Sequence, residues 1–192
     1  MASWQAWKKR IFAALFLGVV STQAAFAVPV LSTSATPSPA VQGSSVAVKV
    51  MIAGIADLYG YQLTLSFNPS VLQATGVTEG AFLGTGGTTF FSGGTINNTT
   101  GSISFLFDTL IGVPTGVTGS GVLATVNFNA VSAGTSPLTF SDVLFLNSAS
   151  TDIAVQLANG SLQVVAIPEP ATVLMLGMGL AGLALRHRRL TT

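Results

Sequence analysis

From Ser45 to Ile52 the chain alternates: Val46, Val48, Val50 and Ile52 fall on one side, Ser45, Ala47, Lys49 and Met51 on the other. The same period returns in Tyr61, Leu63, Leu65 and Phe67, with Gln62, Thr64 and Ser66 between them. It returns again in Ile103, Phe105 and Phe107, set between Ser102, Ser104 and Leu106, and in Val122, Ala124, Val126, Phe128 and Ala130. A period of two sends one set toward a core and the other toward water, which is the pattern of β-strands. Further strands are predicted at Val28–Ser32, Leu72–Val77, Thr88–Ser92, Leu138–Asn147 and Ile153–Val165. Turn-forming residues separate them at Gly43-Ser44, Asn68-Pro69, Gly86-Gly87, Gly93-Gly94, Asn97–Gly101, Val113-Pro114, Gly119–Gly121, Gly134–Pro137 and Asn159-Gly160. About nine short strands, with no helical period of useful length, predict one all-β domain over 28–167, built as a two-sheet sandwich or jelly roll.

Outside that domain the pattern changes. Lys8, Lys9 and Arg10 precede ten uncharged, mostly apolar residues, 11–20, then Ser21-Thr22-Gln23 and Ala25-Phe26-Ala27. A cationic start, a short apolar helix and small residues at Ala25 and Ala27 predict a signal peptide over 1–27, cut after Ala27. The alternative is an uncleaved anchor, but ten apolar residues fall short of the ~18 expected of a spanning helix. At the other end Pro168-Glu169-Pro170 leads into fifteen uncharged residues, 171–185, followed by Arg186, His187, Arg188 and Arg189. As a transmembrane helix the fifteen would measure about 22 Å, so bilayer thinning or arginines reaching the headgroups must make up the rest. The basic cluster should stay in the cytoplasm, leaving 28–167 outside. Gly177, Gly179 and Gly182 lack the four-residue spacing of a helix-packing face.

This ending resembles the PEP-CTERM sorting signal of Gram-negative bacteria. The resemblance implies that a membrane-embedded exosortase cuts near Pro168, Glu169 and Pro170, with Arg186, Arg188 and Arg189 as the topological stop. It also implies an inner-membrane intermediate, then delivery to the surface or matrix of a cell that makes extracellular polysaccharide. A plain tail anchor is the alternative.

Composition sharpens the picture. Hydrophobic residues make up 49% and charged residues 7%, which excludes disorder. Six of the seven basic residues lie in the end segments, so 28–167 carries only Lys49 against Asp57, Glu79, Asp108, Asp142 and Asp152, a net of −4. That balance offers no basic surface to nucleic acid. The same stretch holds 17 Gly and 35 Ser plus Thr, and the chain has no Cys, so an exported fold must rest on packing alone.

Catalytic chemistry is hard to assemble. The sole His, His187, lies in the basic tail, and with no Cys and a single Lys in the domain the Ser-His, Cys-His and Ser-Lys pairings fail, as does a zinc site. No cofactor is expected. A glycosidase would need two carboxylates about 5 to 10 Å apart in a cleft, and calcium would need Asp57, Asp108, Asp142 or Asp152 to converge with backbone carbonyls. Gly84–Thr88 lacks the Lys and following helix of a phosphate loop. The sequons at Asn97, Asn98 and Asn159 read as turns.

The runs Val41–Val50, Tyr61–Leu72 and Gly121–Phe128 are similar to the cohesin family: a Gly-led strand, a strand closing on an aromatic, a polar residue, Pro and then Leu, and a later Gly-Leu strand with Phe. The resemblance implies a nine-stranded flattened barrel of jelly-roll topology, related to cellulose-binding modules, that docks a dockerin through one sheet face. Function is therefore expected to be non-catalytic binding of a protein, with a carbohydrate-binding module for matrix polysaccharide as the alternative. Coplanar exposed aromatics would favour sugar; a flat apolar and hydroxyl-lined face would favour protein. Tyr59 and Tyr61 are candidates for a shared ligand face, although Tyr61 reads first as core and Tyr59 as a loop residue; Phe90 or Phe91 is expected to be partly exposed, and Trp4 and Trp7 fall in the signal segment.

Overall fold

The computed structural model describes residues 27–167, 175 and 177–180. The strands are β1 (Val30–Thr36), β2 (Ala40–Val41), β3 (Ser45–Ser66), β4 (Leu72–Glu79), β5 (Thr89–Ser92), β6 (Thr95–Asn97), β7 (Ser102–Leu110), β8 (Val117–Ala130), β9 (Gly134–Asn147), β10 (Gln156–Ala158) and β11 (Gly160–Val165), with one helical turn, α1 (Ala81–Gly84). The alternating segments became strands because each buries its apolar set: Val46, Val48, Val50 and Ile52 are covered, as are Leu63, Leu65, Val126 and Phe128.

β3 joins the two layers. Its first half pairs with β1 on one side and β8 on the other, and β4 extends that layer beyond β8. Its second half pairs with β7 and β9, extended by β5 and β6 beyond β7 and by β11 and β2 beyond β9. Between the halves the register shifts twice, Gly54 takes φ +70° and Asp57 φ 54°, and Leu58 meets both Val117 and Asn147. The two strands expected from sequence at 45–52 and 61–67 are thus one chain bent over an edge, with Ser45 beside Asn129 and Ser66 beside Thr139 at the same end of the sandwich.

Asp57 fixes the far end. One carboxylate oxygen accepts from Gly116 N at 2.7 Å, and the other accepts from the Ser148 hydroxyl at 2.6 Å and the Ser148 amide at 3.2 Å. These bonds, the Ser148 hydroxyl foremost, hold its carboxyl below the usual range. The opposite end gathers the turn after β2, the Asn68–Val71 turn and the β8–β9 connection, where Gly43 N bonds Ala130 O and Val131 N bonds Val71 O. Between the ends the core is dense: Phe67 meets Phe128 edge-on at 5.0 Å, and Tyr61 stacks on Phe145 at 5.8 Å. Where β4 and β6 do not pair, the Asn98 amide substitutes for a strand, accepting from Ala74 N at 2.8 Å and donating to Ala74 O at 3.0 Å.

Several expectations need correction. Gly119–Gly121 and Gly134–Pro137 are not turns but parts of β8 and β9. The glycine at 121 answers to close approach: α1 lays Phe82 across it, and a Cβ there would sit 2.6 Å from the ring. The single strand expected over 153–165 is split, because Gln156–Ala158 leaves β9 to pair with β1 before β11 returns to β9. Neither the short β2 and β6 nor α1 was foreseen. Of 171–185 only Met175 and 177–180 are described, as exposed helix. Among the described residues no helix is long and apolar enough to cross a membrane. Ala25, Pro168, Glu169, Pro170, Arg186, Arg188 and Arg189 lie outside the described residues, whereas Ala27 is described and exposed.

Candidate functional site

Strand pairing dictates what the β5–β7–β3–β9 layer shows to water. Tyr61, Leu63 and Leu65 of β3 point inward, so Gly60, Gln62, Thr64 and Ser66 point out. Gln62 is flanked by Phe107 on β7 and Leu144 on β9, Gly60 by Thr109 and Leu146, and Thr109 in turn by Phe90 on β5. One half of the outer face therefore sets the uncharged Gln62 and Thr109 among Phe90, Phe107, Leu144 and Leu146. The other half carries Ser66 between Ser102 and Thr139, and Thr64 beside Ser141.

A β-bulge adds a further side chain. Between the pairs Leu63–Leu106 and Leu65–Ile103, β7 spends one more residue than β3, so Ser104 and Phe105 both stand opposite Thr64. Phe105 is held at φ 55° with 64% of its surface exposed. Gly94, at φ +74°, leaves room for this bend, since a Cβ there would strike the backbone of Ser104. On the other side of Thr64, β9 bulges in the same way between Leu144 and Ser141, with Asp142 at φ 48°. The alternation Ile103, Phe105, Phe107 that suggested one buried face is thus broken: Ile103 is buried, while Phe105 and the half-buried Phe107 face out.

Two costs coincide at Phe105. A bulky residue in the left-handed region is strained by roughly 1–3 kcal/mol, and an exposed ring forfeits the roughly 1.5–3 kcal/mol that burial would contribute. Folding alone rewards neither. Phe90, 57% exposed, leans on Phe107 with ring centroids 5.8 Å apart and planes tilted by 48°. Beside Leu144 the face drops into a hollow of about 430 Å³ walled by Val143, Phe145, Ile153, Val155 and Leu157.

Tyr59 and Tyr61 do not share an exposed face. Tyr61 is buried and donates its hydroxyl to Leu123 O at 2.8 Å. Burial, with the charges of Asp108 and Glu79 adding to it, pushes its ionisation well above the ordinary tyrosine range. Tyr59 lies within β3 rather than in a loop, half-buried against the core. Of the residues that line the face, Phe90 is exposed as one of the two rings expected to be so, whereas Phe105, Phe107 and Leu144 are legible in sequence only as strand residues; the signal for Phe105 is a bulge that single-sequence periodicity does not register.

The acids do not converge. Among the described residues no three of Asp, Glu, His or Cys gather as a metal site. Asp57 is spent on Gly116 and Ser148, and Asp142 is exposed beside the Ser141 hydroxyl. Asp108 is the exception: it points into the core, 1% exposed, and neither oxygen has a hydrogen-bond partner. Burial first, then the charge of Glu79, raises its carboxyl to about 7. As carboxylates the two acids exchange no hydrogen bond; with a proton on Asp108, that proton is donated to Glu79. Glu79 accepts a further bond from the Thr89 hydroxyl at 2.6 Å. Asp108 itself is closed off from solvent within the core.

Residues 32–164 match the family model of the cohesin domain, and residues 166–189 match that of the PEP-CTERM protein-sorting motif. No curated protein matches. Among solved structures the fold is similar to a non-cellulosomal cohesin from Archaeoglobus fulgidus, at 21% identity and TM-score 0.60, covering 72% of this chain and 92% of that one. It is likewise similar to the seventh ScaB type I cohesin from Pseudobacteroides cellulosolvens, at 20% identity and TM-score 0.60, covering 74% and 96%. A third likeness, at 12% identity and TM-score 0.60 with 73% and 95% covered, is to a type I cohesin–dockerin complex from Clostridium thermocellum. A PEP-CTERM motif marks a protein exported and sorted to the cell surface by exosortase, and cohesin domains are non-catalytic binding modules. Fold and sequence model agree: the chain belongs to the cohesin domain family and carries a PEP-CTERM sorting motif.

Proposed function

We propose that this protein is a surface-sorted docking module that binds a protein partner through the outer face of β5–β7–β3–β9. The observation that carries the reading is Phe105, exposed and strained at a bulge in the middle of an uncrowded apolar and hydroxyl-bearing sheet. Interfaces concentrate their energy in a few such aromatic anchors ringed by neutral contacts. The solved Clostridium thermocellum relative is held in a complex with a dockerin, which supports a dockerin-type protein as the partner class. Carbohydrate is the weaker reading, because sugar platforms use coplanar rings and Phe90 and Phe107 are tilted by 48°.

Around this face, residues 1–27 act as a signal peptide read at Ala25 and Ala27. Residues 168–192 act as the sorting signal, in which Pro168, Glu169 and Pro170 direct exosortase, 171–185 span the inner membrane before processing, and Arg186, Arg188 and Arg189 hold the tail inside. Two experiments test the reading. Immobilised full-length protein is titrated with dockerin modules and a polysaccharide panel, alongside Phe105→Ala and Leu144→Asp variants; saturable protein binding lost in both variants is expected, and polysaccharide binding unaffected by either would overturn it. In the native host, Glu169→Gln should accumulate the unprocessed form in the membrane, and unchanged processing on an immunoblot would count against the motif.

A further inference from the structure

We infer that the end of the domain from which the tail departs rests on the lipid bilayer, with the turn at Val41–Gly43, the connection 131–134 and Ile167 as its contact surface. This inference rests on reading residues 171–185 as membrane-inserted.

The first observation is where the chain leaves. Val164 pairs with Gly134, Val165 pairs with Val41, and Gln42 N bonds Val165 O, so the last strand is tied down to the end of the sandwich. From Ile167 to position 171 is four residue steps, at most about 14 Å of extended chain. The fourteen-residue strand β8 alone measures about 45 Å end to end. The leash is a fraction of the body it holds, and Pro168 and Pro170 stiffen it further. The domain therefore cannot drift one body length from the bilayer, and this end is the one held nearest to it.

The second observation is charge. This half of the domain is built by 36–49, 64–78, 95–107, 125–141 and 159–167, which contain no Asp or Glu and one Lys, Lys49 opposite Thr125, while Glu79, Asp108 and Asp142 lie just beyond its margin. Asp57 and Asp152 sit at the opposite end, where Asp57 bonds Ser148 and Asp152 bridges Leu146. For a domain of net −4 against anionic headgroups, acids placed away from the leaflet reduce repulsion, and screening over about 10 Å removes much of the remainder. The third observation is the surface itself. Val131 and Ile167, 38% and 61% exposed, line an open hollow of about 580 Å³ with Gln42, Gly43, Asn129, Ala130 and Ala166, and Val41, 40% exposed, precedes Gln42 at its margin. Uncharged amides and aliphatic side chains suit the headgroup region, where water and lipid are both available.

The absence of Cys makes the test direct. The exported form, residues 28–192, is reconstituted into phosphatidylethanolamine–phosphatidylglycerol liposomes as single-cysteine variants, Val131→Cys at the proposed contact and Ala149→Cys at the far end. Each is labelled with a small fluorophore, and headgroup-level nitroxide lipids are added as quenchers. Flotation on a density gradient reports separately whether the tail is inserted. Floating protein with quenching at least twofold stronger at Val131→Cys than at Ala149→Cys, and weakened again by Val41→Asp, is the expected result. Floating protein with equal quenching at the two sites overturns the contact while leaving the tail reading intact. Protein that does not float overturns the tail reading, and this inference with it.

Discussion

Asp108 gives the sharpest thermodynamic expectation. In the unfolded chain its carboxyl ionises near 3.8, and in the folded protein near 7. The folded state therefore holds the extra proton between those values, so the contribution of Asp108 to stability is greatest below about pH 4, declines as the pH rises toward 7, and is flat above. A difference of 3.2 units, from 7 less 3.8, sets a ceiling of about 4 kcal/mol. Water reaching the site along the exposed Glu79 lowers the realised figure to roughly 1–3 kcal/mol. Asp108→Asn keeps the shape, needs no proton to donate to Glu79, and leaves no buried charge. It should stabilise the protein at pH 8 by roughly 1–3 kcal/mol and flatten the slope between pH 5 and pH 8. Chemical denaturation at the two pH values, on wild type and variant, reads both quantities. A wild type equally stable at pH 5 and pH 8, or an Asn variant destabilised at both, would refute the reasoning. Asp57 does not confuse the measurement. Its carboxyl is held low by Ser148 and Gly116, so its contribution is present above about pH 4 and is lost only as the pH falls further.

Other outcomes follow from single residues. Phe105→Gly removes the left-handed strain along with the ring, so thermal melting should leave stability unchanged or raised by about 1 kcal/mol while partner affinity falls at least tenfold; a variant that loses both would make Phe105 a structural residue. Gly121→Ala drives a methyl into Phe82 at 2.6 Å and should cost about 1–3 kcal/mol in urea unfolding, with part recovered in the Gly121→Ala, Phe82→Ala double variant. Asp57→Asn tolerates the φ of 54° but loses the charge of its bonds to Ser148 and Gly116, so its melting temperature should fall less than that of Asp57→Ala.

The inward-facing residues of β3 and β8 were readable because alternation is a local property: each covered Val or Leu has an exposed neighbour on either side. What sequence could not show is where alternation is interrupted on purpose. At Ser104–Phe105 and at Asp142 the extra residue moves a side chain to the other face, and the cause lies in the partner strand and in Gly94, not in neighbouring residues of the same run. The glycines at 119 and 121 misled for the complementary reason. Their flexibility suggested a turn, whereas the need at 121 is for the absence of a side chain beneath a helix that sequence did not reveal. Asp108 was visible as an acid among apolar neighbours, but its burial follows from lying opposite Tyr61 and Phe91 across two pairings.

The two surfaces have a geometric relation that constrains how they could work together. Strands of the docking face run between the bilayer-side end and the far end: Ser66 pairs with Thr139 near the first, and Leu58 with Asn147 at the second. With the tail end down, those strands stand upright and the face points sideways, parallel to the membrane plane. Phe105, close to the Ile103–Leu65 pair, is then the lower anchor, and Phe90, opposite Thr109, the upper. A partner on a neighbouring membrane-held or surface-held molecule can approach laterally without displacing the domain, so docking does not have to wait for release of the tail. A tail-inserted protein that binds partner with the same affinity as the processed form is the outcome this geometry requires. Affinity gained only after processing would mean that the face is turned toward the bilayer instead.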